Sequence, residues 1–348
     1  MAIACLMSNV AAAEATADAF ERITPEQAGY SAERLSELAT FLEASGSESM
    51  LLLHDGKVFF EWGDIRRKRL VHSIRKALLN SLYGVHLGDG CIDLDRTLGE
   101  YGIDDIPPGL SAREQSATLR QVLQSRSGVY HPAAAESEGM AAQRPARGSH
   151  APGEHYYYNN WDFNVAGAIF ERCSGRRIHD AFHDEIAKPL GMLDFDNRIT
   201  AWPDDASIDP ASDGAVKLEP EKSLYPAYHF RMSAHDLALY GQLYLDHGRW
   251  KERQLVPSAW IDLSTRPYSI TEPEYGLAYG MLWNSLVPDK DDERASFFHT
   301  GVDVHMLGVY PKHHLVLVHR VNTEREFRFH GGDLVRVIRM VHGARLAK

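Results

Sequence analysis

The sequence predicts an α/β (α+β) fold: a mostly antiparallel sheet flanked by terminal helices, with an α-rich domain inserted. Strand-like segments gather towards both ends of the 348-residue chain. Short helical pieces and loops fill the middle. Helical patterns open and close the whole, and sequence-distant strands complete one sheet when the segment between them is an insertion. The expected division is a signal-like or disordered N-terminus (1–20), a discontinuous sheet domain (21–87 and 221–348) and an inserted α-rich domain (88–220). The junction cleft is the expected site.

The elements follow in order. Ser31 to Gly46 has an N-cap serine, apolar residues at helical spacing and a terminating glycine. Two apolar runs around Asp55-Gly56 read as a hairpin. "VHSIRKALLNSLYG" (Val71 to Gly84) is rich in Leu and Ala, without internal Gly or Pro, and reads as a helix. Pro132 to Gly153 has no periodicity and reads as a long loop, a common place for function. "NNWDFNVAGAIFERCSG", "RIHDAFHDEIAKPLGM" and "SAHDLALYGQLYLDHG" read as helices. "YGLAYGMLWN", "VHMLGVYP" and "HLVLVHRVN" alternate as strands, the last two forming a hairpin around Pro311-Lys312. "DLVRVIRMVHGARLA" closes the chain as a helix.

A net charge of −11 argues against nucleic acid as a partner and leaves small molecules open. No apolar run is long enough to span a membrane. The three cysteines, Cys5, Cys91 and Cys173, lack C-x-x-C spacing, and a Cys91–Cys173 bridge is open. "MAIACLMSNVAAAEA" resembles the tail of a secretory signal without its basic region. That leaves a periplasmic or secreted location and a cytoplasmic one both open.

Three pieces carry chemistry. Ser73 and Lys76, at i and i+3, share one helix face. Unpaired N–H groups near the helix start favour negative charge on the seryl oxygen. A lysine in an apolar cleft loses its proton more readily and can accept the serine's. With 24 serines one chance S-x-x-K is expected, so this motif is weak alone. Tyr158 and Asn160 supply a phenol and a carboxamide two residues apart, after the long loop. Alone they read as a helix-start anchor. His299-Thr300-Gly301 begins an apolar strand, where glycine admits close approach of a substrate. The Val302 N–H is then a candidate oxyanion donor beside that of Ser73.

In this order, S-x-x-K, Y-x-N and [KH]-T-G resemble the signature of the penicillin-recognising serine hydrolases, the β-lactamase-like family of class C β-lactamases, D-amino-acid peptidases and related esterases. "ATLRQVLQSRSGV", "PGEHYYYNN", "AKPLGM" and "MSAHDLALYGQLYLDHGRW" also resemble the family, so the likeness covers roughly residues 25 to 345. It implies the same fold. Ser73 would be acylated, Lys76 would activate it, and Tyr158 would relay protons to the leaving group. Asn160 would position Lys76 and the substrate, and Thr300 and Gly301 would line the receiving strand edge. No metal or organic cofactor is implied.

His299 stands where many members have lysine. Histidine titrates near neutrality, so activity is expected to change between about pH 5.5 and 7.5. Val302 follows the T-G pair where relatives often place a hydroxyl for a substrate carboxylate, and the nearest preceding arginine is Arg294. This favours a small ester or amide, with Tyr156, Tyr157, Trp161 and Trp283 as candidate apolar contacts. The alternatives are a D-amino-acid-specific peptidase, D,D-carboxypeptidase or β-lactamase, and an inactive binding homologue. A zinc reading of His179 and His183 lacks the glutamate that the zincin motif places after its first histidine.

Overall fold

The computed structural model describes residues 20–202, 207–290, 292 and 294–347, so the signal-like N-terminus, apart from Phe20, lies outside the described residues. Eight strands form one antiparallel sheet: β1 (Ser49–His54), β2 (Lys57–Gly63), β3 (Ser269–Glu272), β4 (Leu277–Tyr279), β5 (Asn284–Leu286), β6 (Phe297–Gly301), β7 (His305–Tyr310) and β8 (Leu315–Arg320). Their order is β2-β1-β8-β7-β6-β5-β4-β3. The first strands thus pair with the last, as β1 runs against β8 from Ser49↔Arg320 to His54↔Leu315. Asp55 and Gly56 turn the first hairpin with φ of 48° and 75°, the left-handed pair that matches strand twist.

Central strands are buried on both faces, and their side chains divide with period two. Leu51, Leu53, Val316 and Val318 enter one core, whereas Met50, Leu52, Leu315 and Leu317 enter the other. Helices α1 (Ala32–Ser45) and α5 (Gly331–Gly343) cover the second face. Their ends are joined by Ser31 N–H to Ala344 C=O (2.8 Å) and Leu346 N–H to Gly29 C=O (2.9 Å). The first core holds α2 (Arg75–His86), α3 (Asn160–Ser174) and α4 (Ala234–Leu245), of which α4 lies on the sheet. Helix α4 is buried along its whole length. A Cβ on its Gly241 would lie 2.6 Å from Val316 Cγ1, so glycine lets the helix rest directly on β8.

Four features differ from the sequence expectation. The helix expected from Val71 begins as a 3₁₀ turn over His72–Ile74 and becomes α-helical only at Arg75, because His72 takes φ 48°. The middle of the chain is not only helix and loop. Ile199–Ala201, Gly214–Lys217 and Ala227–Met232 join Arg69–Leu70 in a second sheet. These strands are short, and "AYHFRM" is buried throughout, so neither shows an alternating pattern. Strand β3 was also not read: it is four residues at the sheet edge with Ile270 exposed. Within the long loop, Glu138–Gln143 forms a short helix.

Cys91 and Cys173 form a disulfide, with Cα atoms 5.3 Å apart, tying the segment after α2 to the end of α3. The bridge spans 82 residues of sequence, so it removes many conformations from the unfolded chain. Replacing both cysteines by alanine should lower unfolding free energy by about 2–4 kcal/mol, read from urea denaturation. An unchanged midpoint would show that the bridge contributes nothing to stability.

Candidate active site

The three motif segments meet where β6 ends against the turn that precedes α2. Val71 N–H donates to Phe230 C=O (2.9 Å), fixing the approach to the turn. His72 then adopts its left-handed backbone. Its Nε2 lies 2.8 Å from Thr323 Oγ1, and its ring stacks on His305 at 5.4 Å. A Cβ on Gly301 would lie 2.5 Å from the Val71 carbonyl oxygen, so only glycine allows β6 to reach this turn. Val302 and Asp303 follow with φ of 44° and 60°, closed by Val304 N–H to Gly301 C=O (3.1 Å). A β-branched residue in that region is strained, and such strain tends to sit at functional sites.

Lys76 Nζ donates to Ser73 Oγ at 2.8 Å. The lysine is 1% exposed, and its Nζ lies 4.8 Å from the Tyr158 ring centre and 4.6 Å from that of Phe163. Burial, and then the charge of Arg75, hold its pKa well below the ordinary lysine value. Burial pushes the Tyr158 phenol up, opposed by its hydrogen bond with Ser73 and by Arg75. The arrangement therefore holds a dry amine and a protonated phenol on one serine hydroxyl.

Asn160 begins α3 and lines the same cavity as Lys76, but no hydrogen bond joins them among the described residues. Its Nδ2 instead donates to Ala135 C=O (2.6 Å), because the loop after Pro132 folds over the carboxamide. Its Oδ1 is buried without a hydrogen-bond partner among the described residues.

The expectation that His299 titrates near neutrality is overturned. The residue is 1% exposed, and its Nδ1–H donates to Thr300 C=O (2.9 Å). Burial first, and Lys76 second, lower its pKa from 6.5 to about 3, so the ring is neutral throughout pH 5.5–7.5.

A cavity of about 1370 Å³ opens over Ser73, Lys76, Tyr158, Asn160, Thr300 and Val302. Met140, Tyr156, Leu286 and Phe298 give it an apolar wall. Of the four aromatics expected there, only Tyr156 contributes. Trp161 and Trp283 are fully buried in the core, and Tyr157 donates its hydroxyl to Met140 C=O (2.6 Å). Arg294 is turned away onto the carbonyls of Tyr244 and Leu245.

Arg75 and His229 are among the cavity residues that sequence reasoning missed, besides the wall residues Met140, Leu286 and Phe298. Arg75 sits inside the S-x-x-K motif beside Lys76, a signal that could have been used. His229 lies on the unpredicted strand Ala227–Met232 and had none. His179 Nε2–H donates to His229 C=O (2.9 Å), whereas His183 faces Asp184, so the two histidines form no pair. Among the described residues one group has metal-ligand spacing, Asp194, His235 and Asp236, away from the cavity. The Asp236 carboxylate there already accepts the N–H groups of Leu193 and Asp194.

Two outcomes are expected from this geometry. Gly301→Ala should separate β6 from the Ser73 turn and cut activity on any acyl substrate at least about tenfold. Full activity would show that the contact is not needed. The second concerns acid. Burial holds His179 and His319 near 4 and His299 near 3, each from 6.5. The unfolded chain takes up these protons first, so stability is complete above pH 6.5 and falls as pH drops towards 4. Each group costs about 1.4 kcal/mol per pH unit in that window. Urea midpoints should therefore decrease from pH 7 to pH 5, and constant midpoints would contradict it.

Comparison with known proteins agrees with this fold. A Bacillus anthracis protein provisionally named a 6-aminohexanoate-dimer hydrolase superposes with TM-score 0.66 at 18% identity, covering 94% of this chain and 89% of its own. A penicillin-binding protein homologue from Caulobacter crescentus gives 0.62 at 18%, covering 91% and 99%. EstCE1, a hydrolase with promiscuous acyltransferase activity, gives 0.64 at 16%, covering 91% and 99%. At these identities the superpositions establish the fold. The sequence model of the beta-lactamase family matches residues 49–338, and the chain belongs to that family.

Proposed function

We propose that the chain is a serine hydrolase that cleaves a small ester or amide through an acyl-enzyme on Ser73. The observation that carries this is the 2.8 Å contact of a buried, easily deprotonated Lys76 with the Ser73 hydroxyl. Neutral Lys76 takes the hydroxyl proton as Oγ attacks the carbonyl carbon. The N–H groups of Ser73 and Val302 receive the developing oxyanion. The proton passes from Lys76 through Tyr158 to the leaving alcohol or amine, which departs and leaves the acyl group on Oγ. Water then attacks the ester, giving its proton to the same pair, which returns it to Ser73 Oγ as the C–Oγ bond breaks and the acid is released. No metal or organic cofactor enters these steps.

The wall of Met140, Tyr156 and Phe298 suits an apolar acyl or alkyl group. Val302 brings no hydroxyl, Arg294 is turned away, and Arg75 is only 1% exposed, which disfavours a substrate carboxylate. A D-amino-acid-specific peptidase or β-lactamase is the second reading, favoured by the name of the Caulobacter crescentus neighbour. The Cys91–Cys173 disulfide supports a periplasmic or secreted location, because such bridges persist in oxidising compartments.

Hydrolysis of a short-chain nitrophenyl ester by wild type and Ser73→Ala tests the assignment. The substitution should reduce turnover at least about a thousandfold. Turnover that survives would mean another nucleophile. Faster wild-type turnover of β-lactams or D-amino-acid amides would select the second reading.

A further inference from the structure

Arg75 precedes Lys76 and is as deeply buried, at 1% exposure. Its Nη2 donates to Asn164 Oδ1 (2.9 Å), and its guanidinium carbon lies 4.4 Å over the Tyr228 ring. Its Nη1 has no hydrogen-bond partner among the described residues, and no carboxylate there forms an ion pair with it. A buried guanidinium without a counter-charge is costly, because the lost hydration is not replaced. It is also too enclosed to receive a substrate carboxylate.

The groups around it are uncharged or remote. Asn164 faces it from α3 and Tyr228 from the strand Ala227–Met232; its charge reaches His229 on that strand and His299 on β6, and His72 on the 3₁₀ turn also acts on His229. Burial keeps these histidines neutral: His72 is lowered to about 4, His299 to about 3, and His229 is lowered well below its ordinary value. The other charges that reach this cluster act on its outer members, Arg320 and Glu324 on His72 and two further carboxylates elsewhere. Asp303 is exposed in the β6–β7 turn and acts on Tyr158, and Glu171 accepts the Ile178 N–H and acts on Tyr228. With His299 neutral, the permanent positive charge felt at Lys76, Tyr158, His229 and His299 alike is that of Arg75.

We propose that Arg75 is the fixed positive charge of this site and acts on Ser73 through Lys76, keeping the lysine in its neutral, proton-accepting form. It is a positioning residue, since no hydrogen bond joins its guanidinium to Ser73 among the described residues. The same charge assists the second half of the proton transfer. Once Lys76 has taken the Ser73 proton, an ammonium stands beside a guanidinium, and their repulsion drives that proton through Tyr158 to the leaving group. This role rests on the assignment of Ser73 as nucleophile and Lys76 as base.

The test is the pH dependence of acylation, read as the burst of nitrophenol from nitrophenyl acetate in wild type, Arg75→Met and Arg75→Lys. Removing the charge lets Lys76 hold its proton to higher pH. The acid limb of Arg75→Met should therefore move up by about one pH unit or more, with about a tenfold slower burst at pH values on that limb. Arg75→Lys, which retains a charge, should stay near wild type. Asn164→Asp keeps the arginine but sets a carboxylate against Nη2, and should shift the limb in the same direction. It decides the matter if Arg75→Met does not fold. Acid limbs of both variants that coincide with wild type, even with reduced plateaus, would make Arg75 a purely structural residue. A wild-type burst that survives Ser73→Ala would instead overturn the underlying assignment.

Discussion

Keeping the Lys76 amine out of water is the constraint on which the rest of the site depends. A lysine amine in solution is protonated at neutral pH, and a dry setting is the first cause that brings its affinity for protons down. The chain achieves this by burying α2 without a break from Arg75 to Gly84. Such a helix cannot lie on a surface, so it is held between the sheet and the helical half of the molecule. Gly84 shows how tight that position is: a Cβ there would lie 2.3 Å from the Trp260 ring. Phe163 from α3 and Tyr158 before it then close the wall around Nζ.

The site also stores strain, and the fold holds it in place. His72 and Val302 have left-handed backbones that their side chains disfavour, and each is next to or part of a proposed oxyanion donor. They are 230 positions apart in sequence, yet Gly301 packs its backbone on the Val71 carbonyl. What over-determines this junction is the doubly buried sheet behind it. Strand β6 pairs with β7 from Phe297↔Val309 to Gly301↔His305, so the strand end cannot retreat without breaking the ladder.

Legibility in the sequence followed how local each determinant was. Helix α1 was readable because Ser31 and Gly46 cap it, and the first hairpin because Asp55-Gly56 suits its turn. Ser73, Lys76 and Tyr158 were readable as a family motif, and the structure brings them together. The hydrogen bond of Asn160 was not, because its partner Ala135 lies in a loop whose path no pattern announces. Nor was the state of His299, which depends on burial by segments far from it in sequence. The sheet containing Ala227–Met232 escaped because its strands are short and the longest is buried on both sides.

Lysine and histidine begin from different ordinary values, and this explains why burial makes one a base and the other a bystander. Desolvation penalises the charged form of both, so both pKa values fall. Histidine starts near 6.5, and the same dry wall takes His299 to about 3, where it cannot hold a proton drawn from an alcohol. Lysine starts about four units higher, and the same burial lowers it, so its neutral amine is easier to reach than in water. On the proposed mechanism, a pocket this dry, with Arg75 at its edge, suits a lysine base rather than a histidine. It leaves the several histidines nearby to pack, stack and donate hydrogen bonds as neutral rings.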